Sequence, residues 1–428
     1  MNKNFLYVGI DVSLKTLVTC IIDTSGSTIL KPKSFHNTPD GLDTLMSTIT
    51  SISSNVENPC VLLGVEATSV YANHLIYTLY DSPIFKGIEV HIYQFNPKLV
   101  KKFKESMGDL PKNDNVDSYV IASRIKMGNL PTECYVNFKQ LGLQRLTRYR
   151  QHLVESIARE KTYMVSNLFL KFSKLSQEKI FSDNFGSTAE ALLTEFESSE
   201  DIASKSIDEL IDIIKVASKN RYADIYSTAI AITEAAKSSF KVNKQLDDSL
   251  SVVIRSCYEN INSLEKSIKH INTSIKNQVE LLFPNEYTIL NSINGIGPVI
   301  AAGIIAEIGD ISRFKNDNAL AKFSGLVWSQ YQSGEFEAED TKLRRTGNKY
   351  LRYYFCLAAN CMRKNINTFS NYYSSKFREV KTHQHKRALT LTARKAIRLI
   401  FSLLQEKRLY TPAEERSDAY RKSSNDAE

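Results

Sequence analysis

Four acidic residues in the first third of the chain have a type and placement that suit metal binding. Asp11 interrupts an apolar run near the N-terminus, Glu66 ends a second apolar run, and Asp114 and Asp117 lie three residues apart in a segment of helical periodicity. That spacing puts the last two carboxylates on one face of a helix. Oxygen ligands select hard ions such as Mg²⁺ or Mn²⁺, and a pair of such ions stabilises the attacking and leaving oxygens in phosphoryl transfer. The four residues therefore predict a metal-dependent site for phosphate chemistry.

Each of these carboxylates also has a simpler explanation when it is taken alone. Asp11 fits the end of a strand where its charge reaches solvent, since an unpaired carboxylate is costly inside a sheet. Asp114 and Asp117 fit the first turn of a helix, where the helix dipole favours negative charge. The metal site is favoured because all four residues fall at positions that one fold would bring together.

That fold is indicated by the order of the predicted elements. Three short β-type runs separated by polar turns predict an antiparallel meander over Tyr7–Val12, Leu17–Ile22 and Thr28–Phe35. A helix, a buried strand over 60–66, a helix over 70–80, a strand over 88–95 and a helix around 98–103 follow. A meander followed by alternating β and α units is the order of a ribonuclease-H-like fold. We assign residues 1–135 to this α/β domain.

The rest of the chain is predicted to be mostly helical. Residues 136–283 contain two long helices whose apolar residues recur at steps of three and four, which predicts a coiled coil, with a mixed and polar insertion at about 172–240. Residues 284–410 form a C-terminal domain that begins with a glycine-rich turn between two apolar helices, as in helix-hairpin-helix motifs that contact a phosphate backbone. Residues 411–428 are a polar tail for which we expect disorder.

The C-terminal domain contains candidate nucleophiles. Ser329 and Ser333 lie in a segment with Gly, Gln and Tyr that precedes a run of Lys and Arg. A serine hydroxyl attacks a phosphodiester only when a base or a metal activates it, and every histidine is distant from both serines in sequence. A structural turn is the alternative explanation for Ser333 and Gly334. The residues alone leave open whether either serine acts.

Basic residues near this segment and in the first long helix are predicted to bind nucleic acid. The C-terminal candidates are interleaved with tyrosines, a combination that suits phosphate contacts and base stacking. The full set is Lys342, Arg344, Arg345, Lys349 and Arg352, together with Arg145 and Arg148 beside the apolar stripe of the long helix. A solvated helix face is the alternative explanation.

Length and composition set the class of protein. A chain of 428 residues exceeds one usual hydrophobic core, so we expect two or three domains. The 55 Lys and Arg against 47 Asp and Glu give a net charge of +8, which favours a polyanionic partner. The six cysteines are widely spaced without a paired zinc-binding pattern, so we expect free thiols in a reducing cytoplasm. The sequence has no signal segment and no membrane-spanning apolar run, which predicts a soluble, cytoplasmic protein that binds no membrane.

Several short motifs occur in a fixed order toward the two ends of the chain. They are Gly9–Ser13, Gly64–Tyr71, Asn96-Pro97, Lys112–Ser118, Ser333-Gly334 and Gly347–Arg352. Together they resemble the DEDD transposases of bacterial insertion sequences, in the family of insertion sequence one-hundred-and-ten. Members of this family are DNA recombinases guided by a bridge RNA.

The resemblance implies roles for the residues found above. The N-terminal domain would be a RuvC-like ribonuclease-H fold that binds Mg²⁺ through its four carboxylates, Asp11, Glu66, Asp114 and Asp117. Ser333 would form a covalent phosphoserine with DNA. The coiled coil would assemble dimers or tetramers, and the serine of one subunit would meet the carboxylates of another. The partners implied are donor and target DNA and a bridge RNA, in a bacterial or archaeal cytoplasm at the nucleoid.

Two other functions share part of this pattern. A metal-dependent endonuclease of the Holliday-junction type would use the same carboxylates with water as the nucleophile. An actin-like or sugar-kinase ATPase also opens with a Gly-Ile-Asp-Val strand, but no glycine-rich phosphate loop follows Asp11. A transposase that cuts and rejoins DNA is therefore the function that we predict.

Overall fold

The chain folds into two compact units. The computed structural model describes residues 3–412 except positions 68–69, 86, 132, 135–136, 179, 182, 197, 220–223, 329–331, 334–335, 338–342 and 344–345. The first unit comprises residues 1–145 and 278–428, and the second comprises residues 146–277. The first unit thus includes both the predicted N-terminal domain and the predicted C-terminal domain. The polar tail from residue 413 onward lies outside the described residues.

A five-stranded sheet forms the N-terminal part of the first unit. Its strands are β1 (Asn4–Val12), β2 (Thr16–Ile22), β3 (Thr28–His36), β4 (Pro59–Glu66) and β5 (Glu89–Phe95). The strand order is β3-β2-β1-β4-β5. The first three strands pair antiparallel, whereas β4 pairs parallel with β1 on one side and with β5 on the other. The predicted meander and the β/α alternation after it are confirmed.

Helices cover both faces of this sheet. They are α1 (Pro39–Ser53), α2 (Ala72–Asp81), α3 (Pro97–Ser106) and α4 (Asp114–Lys126), with a short 3₁₀ turn over Pro83–Phe85. Val8 and Ile10 of β1 pack in one core with α1 and α2. Tyr7 packs on the other face, in the core formed by α3 and α4. Because successive side chains of a strand alternate between faces, Gly9 and Asp11 lie on the α4 side.

Two glycines let α4 lie directly against the sheet. Gly9 in β1 and Gly64 in β4 are paired in register. A Cβ added at Gly9 would lie 2.1 Å from the carbonyl oxygen of Ser118 and 2.4 Å from the amide nitrogen of Ala122, both in the backbone of α4. A Cβ added at Gly64 would meet side-chain atoms, the nearest at 2.8 Å. The backbone of α4 therefore approaches β1 more closely than a side chain at position 9 would allow.

The described elements of the second unit are all helices. The long helices α5 (Phe138–Lys171) and α11 (Lys244–Leu282) contribute most of their length to it. Between them lie α6 (Ser173–Gln177), α7 (Ser187–Glu195), α8 (Ser199–Ser204), α9 (Ile207–Ser218) and α10 (Ile225–Lys237). The segment predicted to be a polar insertion has a hydrophobic core of its own, which includes Phe172, Leu192 and Ile232. Coiled-coil pairing of the long helices stays a prediction.

Helices also form most of the C-terminal part of the first unit. They are α12 (Pro284–Asn291), α13 (Pro298–Ile308), α14 (Asp317–Ser324), α15 (Lys349–Asn365), α16 (Asn367–Arg378) and α17 (Gln384–Glu406), with a 3₁₀ turn over Ile311–Arg313. The predicted glycine-rich turn joins α12 to α13, and Gly295 within it has a φ of 96°, a backbone conformation that favours glycine. The phosphate-binding role of this turn stays a prediction.

Two very short strands lie between α14 and α15. They are β6 (Gln332–Ser333) and β7 (Phe336–Glu337), which pair antiparallel with Ser333 opposite Phe336. All six cysteines are free thiols, as predicted. Among the described residues, no helix has the length and apolar character needed to cross a membrane.

Replacing Gly9 by alanine should destabilise the protein more than the same change at Gly64. The new Cβ at position 9 would meet helix backbone, which moves only if α4 moves, whereas at position 64 it would meet side-chain atoms that can rotate. Overpacking of this kind costs about 1–3 kcal/mol, and we expect Gly9→Ala to lie near the upper value. Thermal unfolding followed by circular dichroism measures the difference.

The control for this comparison is Gly142→Ala in α5. The nearest atom to a Cβ at that position is 3.9 Å away, so the change should be neutral or slightly stabilising because alanine favours the helix. An equal loss of stability at positions 9 and 64 would contradict the close approach of α4 to β1.

Candidate active site

Two of the predicted carboxylates lie at the carboxyl ends of neighbouring parallel strands. Asp11 is the penultimate residue of β1, and Glu66 is the last residue of β4. Each lies two residues beyond one of the paired glycines, so both side chains lie at one level on the face covered by α4. Both residues are half-buried. The carboxyl ends of parallel strands are the usual position of active sites in open α/β sheets.

The other two carboxylates lie in the first turn of α4. Asn113 caps this helix, because its side-chain oxygen accepts a 2.9 Å hydrogen bond from the Val116 amide. Asp114 is the first helical residue and is exposed, whereas Asp117 is half-buried. Asp117 directly precedes Ser118, whose carbonyl oxygen lies against Gly9. The close packing of α4 on β1 therefore brings the start of the helix to the edge of the sheet where Asp11 lies.

Lys104 of α3 is the cation that contacts this group of carboxylates. Its Nζ donates a 2.6 Å hydrogen bond to Oδ1 of Asp117. The side chains are 17% and 28% exposed, so this ion pair is stronger than a surface pair. Lys104 also favours the ionised form of Asp11. Sequence reasoning missed this residue, because its position in α3 has no short-range relation to any of the four acids.

Burial and mutual repulsion raise the pKa values of the two carboxylates at the strand ends, Asp11 and Glu66. Burial, followed by the negative charges of Asp114 and Asp117, raises the pKa of Asp11 to about 6. Burial, followed by the charges of Asp11 and Asp117, raises the pKa of Glu66 above its usual value. The structure thus brings the four predicted carboxylates into one electrostatic group. Within the described residues, no three of them bring their oxygens within 4.8 Å of one another, as expected of like charges.

The donor set fits a hard divalent cation. All four side chains offer only carboxylate oxygens, which suit Mg²⁺ or Mn²⁺ and not a soft metal. This group of four acids, in which burial and neighbouring charges raise the pKa values of Asp11 and Glu66, carries negative charge that Lys104 offsets only in part. A divalent ion would relieve this repulsion, and it would keep Asp11 ionised at neutral pH.

The predicted serine, Ser333, precedes a described loop residue, Thr346, that is hydrogen-bonded to the residue after β5. Ser333 is the last residue of β6, and the structure describes its backbone. The alternative nucleophile, Ser329, lies outside the described residues. Beyond the segment, the carbonyl oxygen of Thr346 accepts a 2.5 Å hydrogen bond from Nδ2 of Asn96. Asn96 also caps α3, the helix that carries Lys104. The loop before α15 is therefore tied to the same edge of the sheet.

A buried polar cluster fixes the start of α15. The Asn348 side-chain oxygen accepts hydrogen bonds from the amides of Tyr350 and Leu351, and its Nδ2 donates to Oε2 of Glu307 at 2.7 Å. Glu307 is 2% exposed and also accepts a 3.2 Å hydrogen bond from Gln144. Sequence reasoning missed both roles. Gly-Asn before a helix is a capping signal that points to Asn348, whereas nothing local marks Glu307.

The loop at Gly347 packs as tightly as the glycines of the sheet do. A Cβ at this position would lie 2.3 Å from the Gly325 amide nitrogen and 2.4 Å from the Phe323 carbonyl oxygen. That carbonyl oxygen also accepts a 2.7 Å hydrogen bond from the Asn348 amide. The loop thus joins the C-terminal end of α14 to the start of α15.

The predicted nucleic-acid contacts are described only in part. Lys342, Arg344 and Arg345 lie outside the described residues. Lys349 is exposed and places its ammonium 4.9 Å from the centre of the Tyr350 ring. Arg352 is half-buried and donates a 3.1 Å hydrogen bond to the Ser324 carbonyl oxygen, so it has a structural contact. Arg145 is exposed and Arg148 is half-buried, both on α5. Nucleic-acid binding by these residues stays a prediction.

Comparison with known proteins identifies the family. A family model described as a transposase, DEDD_Tnp_IS110, matches residues 8–172, a range that includes the four carboxylates and Lys104. A second model, described as "Transposase IS116/IS110/IS902 family", matches residues 287–374, which include Ser333 and Asn348. The chain belongs to the IS110 family of DEDD transposases. The two models together match more than half of the chain.

A curated relative carries the same family label. The "Insertion element IS116 uncharacterized 44.8 kDa protein" of Streptomyces clavuligerus is 32% identical to this chain over 133 residues. The match covers 29% of this chain and 31% of that protein, so it spans about a third of the relative's length.

The charge of Asp11 should lower the stability of the metal-free protein at neutral pH. In the unfolded chain this carboxyl titrates near 3.8, and in the folded protein near 6, so the folded state holds the proton between these values. The free energy of unfolding therefore falls as the pH rises through this window and stays reduced above it. In chelator, Asp11→Asn should raise the unfolding midpoint at about pH 7.5, with a gain that shrinks as the pH falls from about 6 to about 4.

Asp23→Asn is the control, and its expected change in the unfolding midpoint has the opposite sign to that of Asp11→Asn. Its carboxylate accepts hydrogen bonds from Ser25, Gly26 and Ser27, which lower its pKa, so its ionised form stabilises the folded state above its unfolded pKa. This variant should lower the unfolding midpoint at neutral pH. If Asp11→Asn also lowered the midpoint at neutral pH, the raised pKa of Asp11, with its origin in burial and in the charges of Asp114 and Asp117, would be contradicted.

Proposed function

We propose that this IS110-family transposase cuts and rejoins the DNA strands of an insertion sequence, with the four carboxylates as the metal site and Ser333 as the nucleophile. The observation that carries the proposal is the convergence of Asp11, Glu66 and the start of α4 at one edge of the sheet, with raised pKa values at both strand carboxylates. The strand order of three antiparallel strands followed by two parallel ones supports a RuvC-like ribonuclease-H fold for residues 1–135.

The metal would be Mg²⁺, with Mn²⁺ as a substitute. Asp11, Glu66, Asp114 and Asp117 would hold it, and when bound it would neutralise phosphate charge and favour ionisation of an attacking hydroxyl. The carboxylates supply the negative charge that binds the cation. Lys104 positions Asp117 through its hydrogen bond. The half-burial of Asp11 and Glu66 limits water at the site, which strengthens its electrostatic interactions.

The covalent step exchanges one DNA phosphodiester bond for a phosphodiester bond between the DNA and the serine. The Ser333 hydroxyl oxygen would attack a DNA phosphorus and form a phosphoserine bond, and the serine proton would leave to solvent. The bond from that phosphorus to a deoxyribose oxygen would break, and that oxygen would take up a proton and leave as a hydroxyl group. Rejoining reverses these changes with the hydroxyl of another strand, which releases the serine. Within one chain, the Asn96 to Thr346 hydrogen bond ties the loop before α15 to the carboxylate edge. The pairing of a serine with the carboxylates of another subunit rests on the family resemblance alone. In an assembly of subunits, the serine of one copy would serve the carboxylates of another.

The partners follow from charge and from the family. Donor and target DNA are the substrates, and the net charge of +8 suits polyanions. We propose a bridge RNA as the guide, since the family to which this chain belongs uses one. The long helices α5 and α11 would assemble dimers or tetramers. The site of action would be the DNA of a bacterial or archaeal cytoplasm.

Ser333→Ala should abolish the protein-DNA adduct. The wild type, incubated with donor DNA, its RNA and Mg²⁺ and then denatured, should give a protein band that carries labelled DNA, because the serine ester survives denaturation. Ser329→Ala is the matched control and should retain the band. Asp11→Asn should lose strand cleavage and keep DNA binding by gel shift. An adduct that persists in Ser333→Ala places the nucleophile elsewhere, and cleavage without any adduct in the wild type identifies a nuclease that uses water.

A further inference from the structure

A second group of metal-binding side chains lies at the opposite edge of the sheet. Cys60 is the second residue of β4, and Glu89 and His91 are the first and third residues of β5. Cys60 and Glu89 are paired in register, and His91 lies two residues further along, so the three side chains lie on one face. Their ligand atoms all lie within 4.8 Å of one another. They sit at the amino ends of the parallel strands, away from Asp11 and Glu66.

The donor types of this group differ from those of the carboxylate site. A thiol sulfur, an imidazole nitrogen and a carboxylate oxygen together suit Zn²⁺ or a similar borderline ion, and they are a poor set for Mg²⁺. The Cys60 thiol is 1% exposed, so water does not compete for the sulfur side of the site. The Glu89 and His91 side chains are 42% and 32% exposed, which leaves a path for an ion to enter.

His91 is oriented as zinc-binding histidines usually are. Its Nδ1 lies 3.2 Å from Oε2 of Glu133, and the other oxygen of Glu133 accepts a 3.0 Å hydrogen bond from the Tyr80 hydroxyl. The second ring nitrogen, Nε2, faces Oε1 of Glu89 at 2.9 Å. A carboxylate that accepts from one imidazole nitrogen fixes the ring and makes the other nitrogen a better ligand. The chain thus supplies both the ligands and the groups that orient them.

We propose that Cys60, Glu89 and His91 bind one zinc ion that fastens β5 to β4. The thiol proton leaves to solvent when the ion binds, and the fourth position is open to water. The site is independent of the proposed recombination chemistry. Its effect is structural, because β5 is the edge strand of the sheet and a metal that bridges two strands stabilises the folded state by mass action.

Lys3 competes with the ion for one ligand. Its Nζ lies 2.8 Å and 2.6 Å from the two carboxylate oxygens of Glu89. Without a metal, Lys3, Glu89, His91 and Glu133 form a network of ion pairs, which is the alternative role for these residues. The two roles differ in what Lys3→Met does. Removal of the ammonium should strengthen zinc binding, whereas it would only weaken an ion-pair network.

Cobalt titration of the full-length protein tests the site. After treatment with chelator, the wild type should bind about one Co²⁺ per chain with the near-ultraviolet charge-transfer absorption of a cobalt-thiolate bond, and Zn²⁺ should displace it. Cys60→Ala should lose this absorption. His91→Gln should weaken binding about tenfold or more. Cys20→Ala, which removes another buried thiol from the same sheet, and Asp11→Asn should both retain the signal.

Measurements of the unfolding midpoint with and without Zn²⁺ give a second test, which does not depend on the cobalt absorption of variants that fold poorly. Zn²⁺ should raise the unfolding midpoint of the wild type and of Lys3→Met, and the shift should be clearly smaller in His91→Gln, which retains a polar side chain. A wild type that shows no thiolate absorption at stoichiometric Co²⁺, or a zinc-induced midpoint shift of the same size in His91→Gln as in the wild type, would overturn the proposal. Unchanged zinc affinity in Lys3→Met would overturn the competition with Glu89.

Discussion

The close approach of α4 to β1 is the constraint on which the carboxylate site depends. The absence of a Cβ at Gly9 lets the helix backbone lie against the strand, with Ser118 and Ala122 as its contact points. That contact fixes the distance between α4 and the sheet, and it therefore sets where Asp117 lies relative to Asp11. The site has an electrostatic cost, visible in the pKa of about 6 at Asp11, and Lys104 reduces this cost only in part. Active sites commonly sacrifice stability in this way.

A second chain of contacts relates the C-terminal part to this edge of the sheet. Asn96 holds the Thr346 carbonyl oxygen, Gly347 lies against the end of α14, and Asn348 caps α15 while it donates to the buried Glu307. Each of these contacts is specific in geometry, so residues 346–348 are held against α14 and the end of β5. The segment that contains Ser333 is thus followed by anchored residues.

The sequence predicted the parts that depend on local pattern. Short apolar runs bounded by turns identified β1 to β5. Asp11 and Glu66 stood out because charge is rare in such runs, and Asp114 and Asp117 stood out because their spacing puts them on one face of a helix. Contacts between residues far apart in sequence left no such signal: Lys104 with Asp117, Asn348 with Glu307, and Cys60 with His91. The single cysteine of that last group escaped a search for paired cysteines. The segment 172–240 looked polar because amphipathic helices expose one face, although Phe172 and others form a core.

Anomalous diffraction from crystals of the protein soaked in Mn²⁺ tests the central claim most directly, because it locates the ion without reference to activity. The account predicts anomalous peaks between Asp11 and Glu66, bounded by the first turn of α4, and the loss of these peaks in Asp11→Asn crystals. Peaks confined to other acidic surfaces, with the four carboxylates left free of metal at saturating Mn²⁺, would contradict it.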